Sequence, residues 1–370
     1  MSGRAQEWVT IARKLYPGFD KVDLVMISPC AGVDTGLMAC RELGIKCRSV
    51  AYEINETLKD VLEAVHGDAK DVHVGPFKGN FENIWLPSLP TADVVCAGPP
   101  CPPFSRNGDK MNWEDARSRV FGQCMLCIKE QSRREATKLR AFVIENVRGI
   151  CDKGADGRAP IDDVLDWCRE ELCKYGWNIF LWGMNADKVG LPQSRPRTYL
   201  CGRKMELFID NAIEPAPPKI HIKNVMLRSL LDEDAPQFDE SLLTSKQAHN
   251  LTHFRELVKD FKTRTSVPDF TLAVFDLTRA PDKKRKPLWR IDDKSPCLLT
   301  NNTYLWVETI SSDVKHMSRF LSQRERARLQ GLPDQIIDVL PLTAQAAATG
   351  NAMAMPCVGL CLAAILSKPH

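Results

Sequence analysis

VDLVMISPCAGVDTGLMACRELGIKCRSVAYEI, residues 22–54, changes pattern twice. VDLVMIS is a continuous apolar run of the length of a buried strand, TGLMACRELG repeats its apolar residues at helical spacing, and KCRSVAYEI is strand-like again. Strand, helix and strand in so few residues make a βαβ unit. The alternation continues outward. ETLKDVLEAVHG is an amphipathic helix, ADVVCAG a strand, RVFGQCMLCIKEQSRR a helix and LRAFVIENV a strand. IDDVLDWCREELCKYG is then a helix, and WNIFLWGMNA and RPRTYLCGRK are strands. Such alternation predicts an α/β fold with a largely parallel sheet, whose ligands bind at the carboxyl ends of the strands.

The pattern breaks near residue 204. EPAPPKI is proline-rich, the following ninety or so residues are polar and irregular, and they end in the basic cluster RAPDKKRKPLWR. Helical patterning returns at FLSQRERARLQG, and the chain runs to an apolar helix, MAMPCVGLCLAAIL. The expected organisation is a first domain over 1–203, an inserted domain over 204–317, and C-terminal helices over 318–370 that return to the first domain.

The 370 residues, 44% hydrophobic and 26% charged, suit a folded enzyme of two or three domains, or of one large domain with an insertion, and exclude wholesale disorder. A net charge of +3 does not by itself demand a polyanionic partner. Charges spread through the first 22 residues leave no secretory h-region, and the apolar C-terminal run is interrupted by Pro356 and Gly359, so no membrane association is expected. Fourteen cysteines read as reduced, mostly buried thiols. Cys124 and Cys127 have ligand-like spacing but no second close pair, so no metal site is expected.

Four segments carry chemistry. In SPCAGVDTGLMA, Gly32 and Gly36 permit a tight strand-to-helix turn, and Glu53, about twenty residues on, stands where a carboxylate reaches ribose hydroxyls. In CAGPPCPPFSRNG, prolines on both sides of Cys101 make a stiff loop that presents a thiol at a strand end, followed by a polar loop over 105–119. FVIENV ends a strand on Glu145 and Asn146, which places a carboxyl group beside the same sheet edge. In LPQSRPRTYLCG, Arg195 and Arg197 alternate on a strand and are expected to share a face. Read singly, each has a plain structural alternative: a simple turn, a buried cysteine, a solvated glutamate, a charged edge strand.

Together, in order and spacing, they resemble the cytosine carbon-5 methyltransferase family. Pro99-Pro100-Cys101 is similar to its catalytic loop, Glu145-Asn146-Val147 to its Glu-Asn-Val, and Gln193-Ser194-Arg195-Pro196-Arg197 to its Gln-x-Arg-x-Arg. The stretch Arg324 to Asp334 resembles its Arg-Glu-x-x-Arg-x-x-Gly-x-Pro-Asp helix, and Gly350-Asn351-Ala352 with Pro356 its closing motif. The turn Gly32 to Leu37 is most similar to the eukaryotic de novo-type branch. The resemblance runs from about residue 22 to the C-terminus and skips the insert. The chain departs from the family at Cys30, where phenylalanine is usual, at Pro102, where many members have glutamine, and at Pro76, where an adenine-binding aspartate is usual. Asp68 or another residue is left to take that aspartate's place.

The resemblance implies a Rossmann-like S-adenosylmethionine-dependent methyltransferase domain with an inserted target-recognition domain. It implies methyl transfer to carbon 5 of a flipped-out cytosine in double-stranded DNA, through a covalent adduct on Cys101. Glu145 would protonate ring nitrogen 3, Arg197 would hold the base's carbonyl oxygen, and Arg195 the nearby phosphate. Cys30, Gly32, Thr35, Gly36, Glu53, Ile54, Pro99, Asn351 and Met353 would hold the cofactor. Ser105, Arg106 and Asn107 would meet DNA. Lys283, Lys284, Arg285 and Lys286, with Arg279 and Arg290, are expected to face phosphate, although a solvated charge run or a nuclear import signal explains KKRK equally. The location expected is the nucleus in a eukaryote and the cytoplasm otherwise. A tRNA methyltransferase of the same family is the nearer alternative, but its Cys-Phe-Thr is missing between 204 and 317. A catalytically silent relative is the other alternative. Such relatives lose the cysteine or the glutamate, and both are present.

Overall fold

The computed structural model describes residues 7–21, 23–105, 112–134, 138–205, 222, 226–264, 271–279, 289–300, 304–311 and 315–367. They form two compact units.

The first unit holds residues 1–185, 196–221 and 352–370. Its sheet has seven strands: β1 (Asp23–Pro29), β2 (Lys46–Glu53), β3 (Val72–Val74), β4 (Val94–Ala97), β5 (Ala141–Val147), β6 (Trp177–Asn185) and β7 (Pro196–Lys204). Their order is β3-β2-β1-β4-β5-β7-β6. The first five run parallel to one another, and β7 is antiparallel to both β5 and β6. The helices are α1 (Glu7–Leu15), α2 (Thr35–Leu43), α3 (Lys59–His66), α4 (Arg119–Arg133) and α5 (Pro160–Glu171). The α/β expectation therefore holds, element by element, over this unit. Two elements escaped the sequence reading: α1, whose segment was read only for its charges, and β3, whose three residues show no periodicity.

Parallel strands covered on both faces become continuous apolar runs, and β4 is buried along its whole length. The chain's last helix, which belongs to this unit, is apolar all round, and every one of its residues from Met355 to Leu366 is buried. It packs on α2, α1, β5 and β7. Cys124 and Cys127 face the core from α4. No single helix among the described residues is long and apolar enough to cross a membrane.

The second unit holds residues 186–195 and 222–351. The segment that reads as irregular contains a twenty-residue helix, α6 (Ser245–Arg264), and an antiparallel sheet of β8 (Leu272–Asp276), β9 (Trp289–Arg290), β10 (Leu305–Thr309) and β11 (Ser318–Phe320), in the order β11-β10-β8-β9. Helices α7 (Gln323–Leu329), α8 (Gln335–Asp338) and α9 (Leu342–Asn351) follow, and the apolar helix of the first unit is α10 (Met355–Leu366). One face of the small sheet, with Val274 and Val307, packs on Leu298, Met317 and Leu329. The other, with Phe275 and Trp306, packs on Phe254 of α6.

The boundaries differ from those expected. Residues 318–351 belong to the second unit, not to the returning helices, and 186–195 join it from the other side. The cause is packing. Leu329 of α7 completes the small sheet's core, Arg319 and Glu325 form a buried pair at 2.7 Å, and the Gln193 side chain donates to Leu329 O and accepts from Leu298 N. Only 352–370 return to the first unit.

Candidate active site

The site residues of the first unit lie at the carboxyl edge of its sheet. After β1 the chain turns through three left-handed residues, Cys30 at φ 53°, Gly32 at φ 58° and Asp34 at φ 50°. Only glycine takes this conformation freely. A Cβ on Gly32 would meet nothing within 4 Å, whereas one on Gly36 would lie 2.8 Å from Cys96 Sγ. Gly32 therefore borders open space, and Gly36 lets the first turn of α2, with Thr35 buried beside it, sit directly on β4.

Glu53 ends β2 beside this turn. Its carboxylate accepts hydrogen bonds from Gly32 N at 2.8 Å and Asn55 N at 2.9 Å. Burial pushes its pKa above the ordinary carboxylate value, and the backbone N–H bonds of Asn55, Gly32 and Ile54 oppose that rise. Ile54, the next residue, is 55% exposed. Asp68 and Asp71, which lie just before β3, are already engaged. Asp68 caps the turn at 69–71 and pairs with Lys70, and Asp71 forms a bidentate pair with Arg48. At the end of β4, Pro99 is buried and Met353 packs against Gly98.

Cys101 is partly exposed and begins the single turn Pro102–Phe104. Proline on both sides removes N–H donors, so the segment joins no ladder. It is held instead from beyond. Asn146 Nδ2 reaches Pro99 O at 3.5 Å, and the Phe104 ring packs edge-on with Trp113 at 4.8 Å and Phe121 at 6.2 Å. Trp113 and Phe121 themselves meet at 5.6 Å. This aromatic cluster was not anticipated. Its signal in the sequence was Trp113, a large apolar residue inside the polar loop. The rest of that loop nearest Cys101, including Arg106 and Asn107, lies outside the described residues, while Ser105 is partly exposed.

Glu145 and Asn146 end β5. Because β7 runs antiparallel to β5, its first residues come to the last residues of β5, with Val147 opposite Arg197 and Glu145 opposite Tyr199. Arg197 Nε stands 2.9 Å from Glu145 Oε1, both side chains largely buried. Tyr199 is fully buried, its hydroxyl without a hydrogen-bond partner among the described residues, and burial raises its pKa.

Arg195 does not share this face. It precedes β7 and belongs to the second unit. Its buried guanidinium donates to Leu298 O at 2.8 Å and Gly350 O at 3.1 Å. Those carbonyls engage it where a phosphate was expected, and the alternation that suggested a shared face fails because the strand starts one residue later. Asn351 is the exposed last residue of α9, also in the second unit. Lys283, Lys284, Arg285 and Lys286 lie outside the described residues; Arg279 is exposed, and Arg290 is paired with Asp292.

The comparisons agree with this geometry. A family model described as C-5 cytosine-specific DNA methylase matches residues 22–366. The chain is 27% identical over 351 residues to the type II methyltransferase M.HpaII of Haemophilus parainfluenzae, covering 91% of this chain and 88% of that one. It is 29% identical over 215 residues to M.NgoBV of Neisseria gonorrhoeae, covering 57% of this chain but only 47% of the relative, so it spans about half the length of that protein. Among solved structures, a methyltransferase of Entamoeba histolytica, EhMeth, superposes with a TM-score of 0.58 at 15% identity, covering 92% of this chain and 96% of that one. The S. pombe Dnmt2 methyltransferase gives 0.57 at 14% identity, covering 91% and 96%. These likenesses show the fold. With a model match across nearly all of the chain, the chain belongs to the C-5 cytosine-specific DNA methylase family.

Proposed function

We propose that the protein transfers a methyl group from S-adenosylmethionine to carbon 5 of cytosine in double-stranded DNA. One observation carries this reading: the Cys101 loop, the Glu145–Arg197 pair and the Glu53 turn stand at the carboxyl ends of β4, β5 and β2 in one sheet.

The residues of the first unit fit the cofactor. Glu53 is held from behind by two N–H groups, which leaves lone pairs for two ribose hydroxyls, and the open space at Gly32 admits a ligand against the backbone. Ile54 offers an exposed apolar surface for a purine ring. With Pro76 in place and Asp68 and Asp71 engaged with Lys70 and Arg48, the adenine ring is held by packing. When bound, S-adenosylmethionine supplies an electrophilic methyl group on its sulfonium.

Carbon 5 of cytosine is a poor nucleophile until the ring is activated. The Cys101 thiolate adds to carbon 6, and Glu145 holds the proton that ring nitrogen 3 takes up. Arg197 keeps Glu145 in place and donates to the base's carbonyl oxygen. Carbon 5, now enamine-like, takes the methyl group. Water takes the carbon-5 proton, the 5,6 double bond re-forms and the Cys101 thiolate leaves, while the proton on ring nitrogen 3 returns to Glu145. A base inside a duplex is out of reach, so the target cytosine is flipped out. Arg195 serves from a distance, by tying the segment before β7 to the main chain at 298 and 350.

The test is methyl transfer to unmodified duplex, hemimethylated duplex and tRNA, with bisulfite mapping. Duplex DNA is expected to be the substrate. Cys101→Ser should abolish transfer yet still bind S-adenosylhomocysteine, and DNA carrying 5-fluorocytosine should trap the wild type on Cys101, because fluorine does not leave as the proton does. Transfer to tRNA alone, or an adduct on another cysteine, would overturn the reading.

A further inference from the structure

Asp34 stands in the cofactor turn but is no part of the machinery described above. It has left-handed backbone angles, φ 50° and ψ 58°, which cost an L-residue about 1–2 kcal/mol. Its carboxylate is wholly buried, at 0% exposure. Burying a charge is among the most expensive steps in folding unless the charge is fully hydrogen-bonded. Here the bonds come from four separate elements. Ser28 Oγ of β1 lies at 3.0 Å, Leu37 N of α2 at 3.2 Å, Ser49 Oγ of β2 at 2.8 Å and His66 Nε2 of α3 at 2.9 Å. The His66 side chain is itself 2% exposed. An ionised carboxylate only accepts, so the imidazole donates.

A helix N-cap needs one such bond. The other three fix Asp34 to both strands that flank the turn and to the helix after β2. Asp34 N also donates to Ala31 O at 2.7 Å, and between those two residues lies Gly32, whose N–H holds Glu53. The network therefore sits under the backbone that carries the cofactor's ribose partner. Left-handed strain of this kind persists only where its surroundings over-determine it.

We propose that Asp34, clamped by His66, Ser28 and Ser49, is a positioning residue that presets the turn at 30–36 for the methyl donor. Buried under the turn, it acts through the backbone and through Glu53. It changes the affinity for the donor, not the rate of the chemical steps at Cys101. The inference rests on the reading of this turn as the donor site.

The experiment measures calorimetric binding of S-adenosylhomocysteine, KM for S-adenosylmethionine, kcat at saturating donor, and hydrogen exchange at the Gly32 and Leu37 amides without cofactor. Asp34→Gly is the informative variant, since glycine keeps φ near +50° at no cost and only the carboxylate is removed. It should bind S-adenosylhomocysteine about tenfold more weakly or worse, with KM raised in parallel, kcat within about twofold, and faster exchange at both amides. His66→Leu should behave similarly, and His66→Gln, which restores an N–H donor, should recover most of the affinity. Ser49→Ala removes a single bond and folds even if Asp34→Gly does not; it should weaken binding about threefold. Wild-type affinity in the folded variants, or a fall in kcat with KM unmoved, overturns the proposal. A wild type that fails to bind S-adenosylhomocysteine overturns the functional reading and this inference with it, whereas a binding wild type with indifferent variants overturns the inference alone.

Discussion

Glu53 combines two opposed effects at one carboxylate. Burial raises its pKa, while the N–H groups of Gly32 and Asn55 favour its charge. Ribose hydroxyls donate to the ionised form, so binding the cofactor favours ionisation. The sign follows. Below the raised pKa the free protein holds Glu53 protonated, and binding must release that proton. Affinity for S-adenosylhomocysteine should therefore rise as pH climbs through the raised pKa of Glu53, then level off. Calorimetry in buffers of differing ionisation enthalpy should detect proton release only on the acid side. Glu53→Ala should weaken binding about ten- to a hundredfold and remove the pH dependence, given roughly 1.5–3 kcal/mol for charge-assisted bonds. Unchanged affinity would mean that the turn serves another ligand. Tyr199 is a contrasting case. Its hydroxyl is buried opposite Glu145 without a partner among the described residues, so Tyr199→Phe removes no bond from them. That variant should unfold at or slightly above the wild-type temperature, with stability equal or higher by up to about 1 kcal/mol, because a buried polar group left unpaired carries a desolvation cost. A clear loss of stability would reveal a partner for the hydroxyl.

The element that carries Cys101 depends on its neighbours for shape. A loop of prolines has few backbone donors, and this one is steadied by the Phe104, Trp113 and Phe121 rings. Aromatic pairs of this geometry each contribute about 0.5–1.5 kcal/mol beyond burial. Trp113 also donates to Asp163 of α5 at 3.1 Å. Trp113→Ala should loosen the nucleophile's loop and lower the methyl-transfer rate by about tenfold or more, since small misplacements of a reacting group are costly. Affinity for S-adenosylhomocysteine should stay within about twofold, because Glu53 and the turn at 30–36 lie elsewhere on the sheet edge. Equal losses in rate and cofactor affinity would place Trp113 in the general stability of the unit instead.

Over the whole molecule, a net charge of +3 is too small for bulk attraction to DNA, so the proposed function requires a local cluster of cations. The cluster from Lys283 to Lys286 is the densest local charge in the chain. Pairing with phosphate adds affinity without sequence information. Replacing Lys283, Lys284, Arg285 and Lys286 by Gln should weaken binding to every duplex alike, and each cation–phosphate pair removed should flatten the log-affinity against log-salt slope by roughly 0.9. Cofactor affinity should be unchanged, since Glu53 and Gly32 belong to the other unit. A wild-type slope in the quadruple variant would return the cluster to solvent or to import.

In the first unit the order of the elements, α1 and β3 apart, and the largely parallel sheet were legible in the sequence, as was the family, and the candidate residues Glu53, Cys101, Glu145 and Arg197 could be named from it. Buried strands and amphipathic helices impose periods of their own, and Glu53, Cys101 and Glu145 stand at or just past the ends of such strands. The insert was not legible in this way. Strands of two to five residues buried on both faces show no alternation, and α6 presents only a narrow apolar stripe. Tertiary structure alone decided where the units divide, because the link between Gln193, Arg195 and Leu298 joins residues about a hundred positions apart. It also decided that Arg195 binds carbonyls while Arg197 meets Glu145, and that Asp34, one polar letter in a glycine turn, gathers donors from β1, β2, α2 and α3. Side-chain partners distant along the chain leave no periodic trace in it, so only the folded arrangement could assign them.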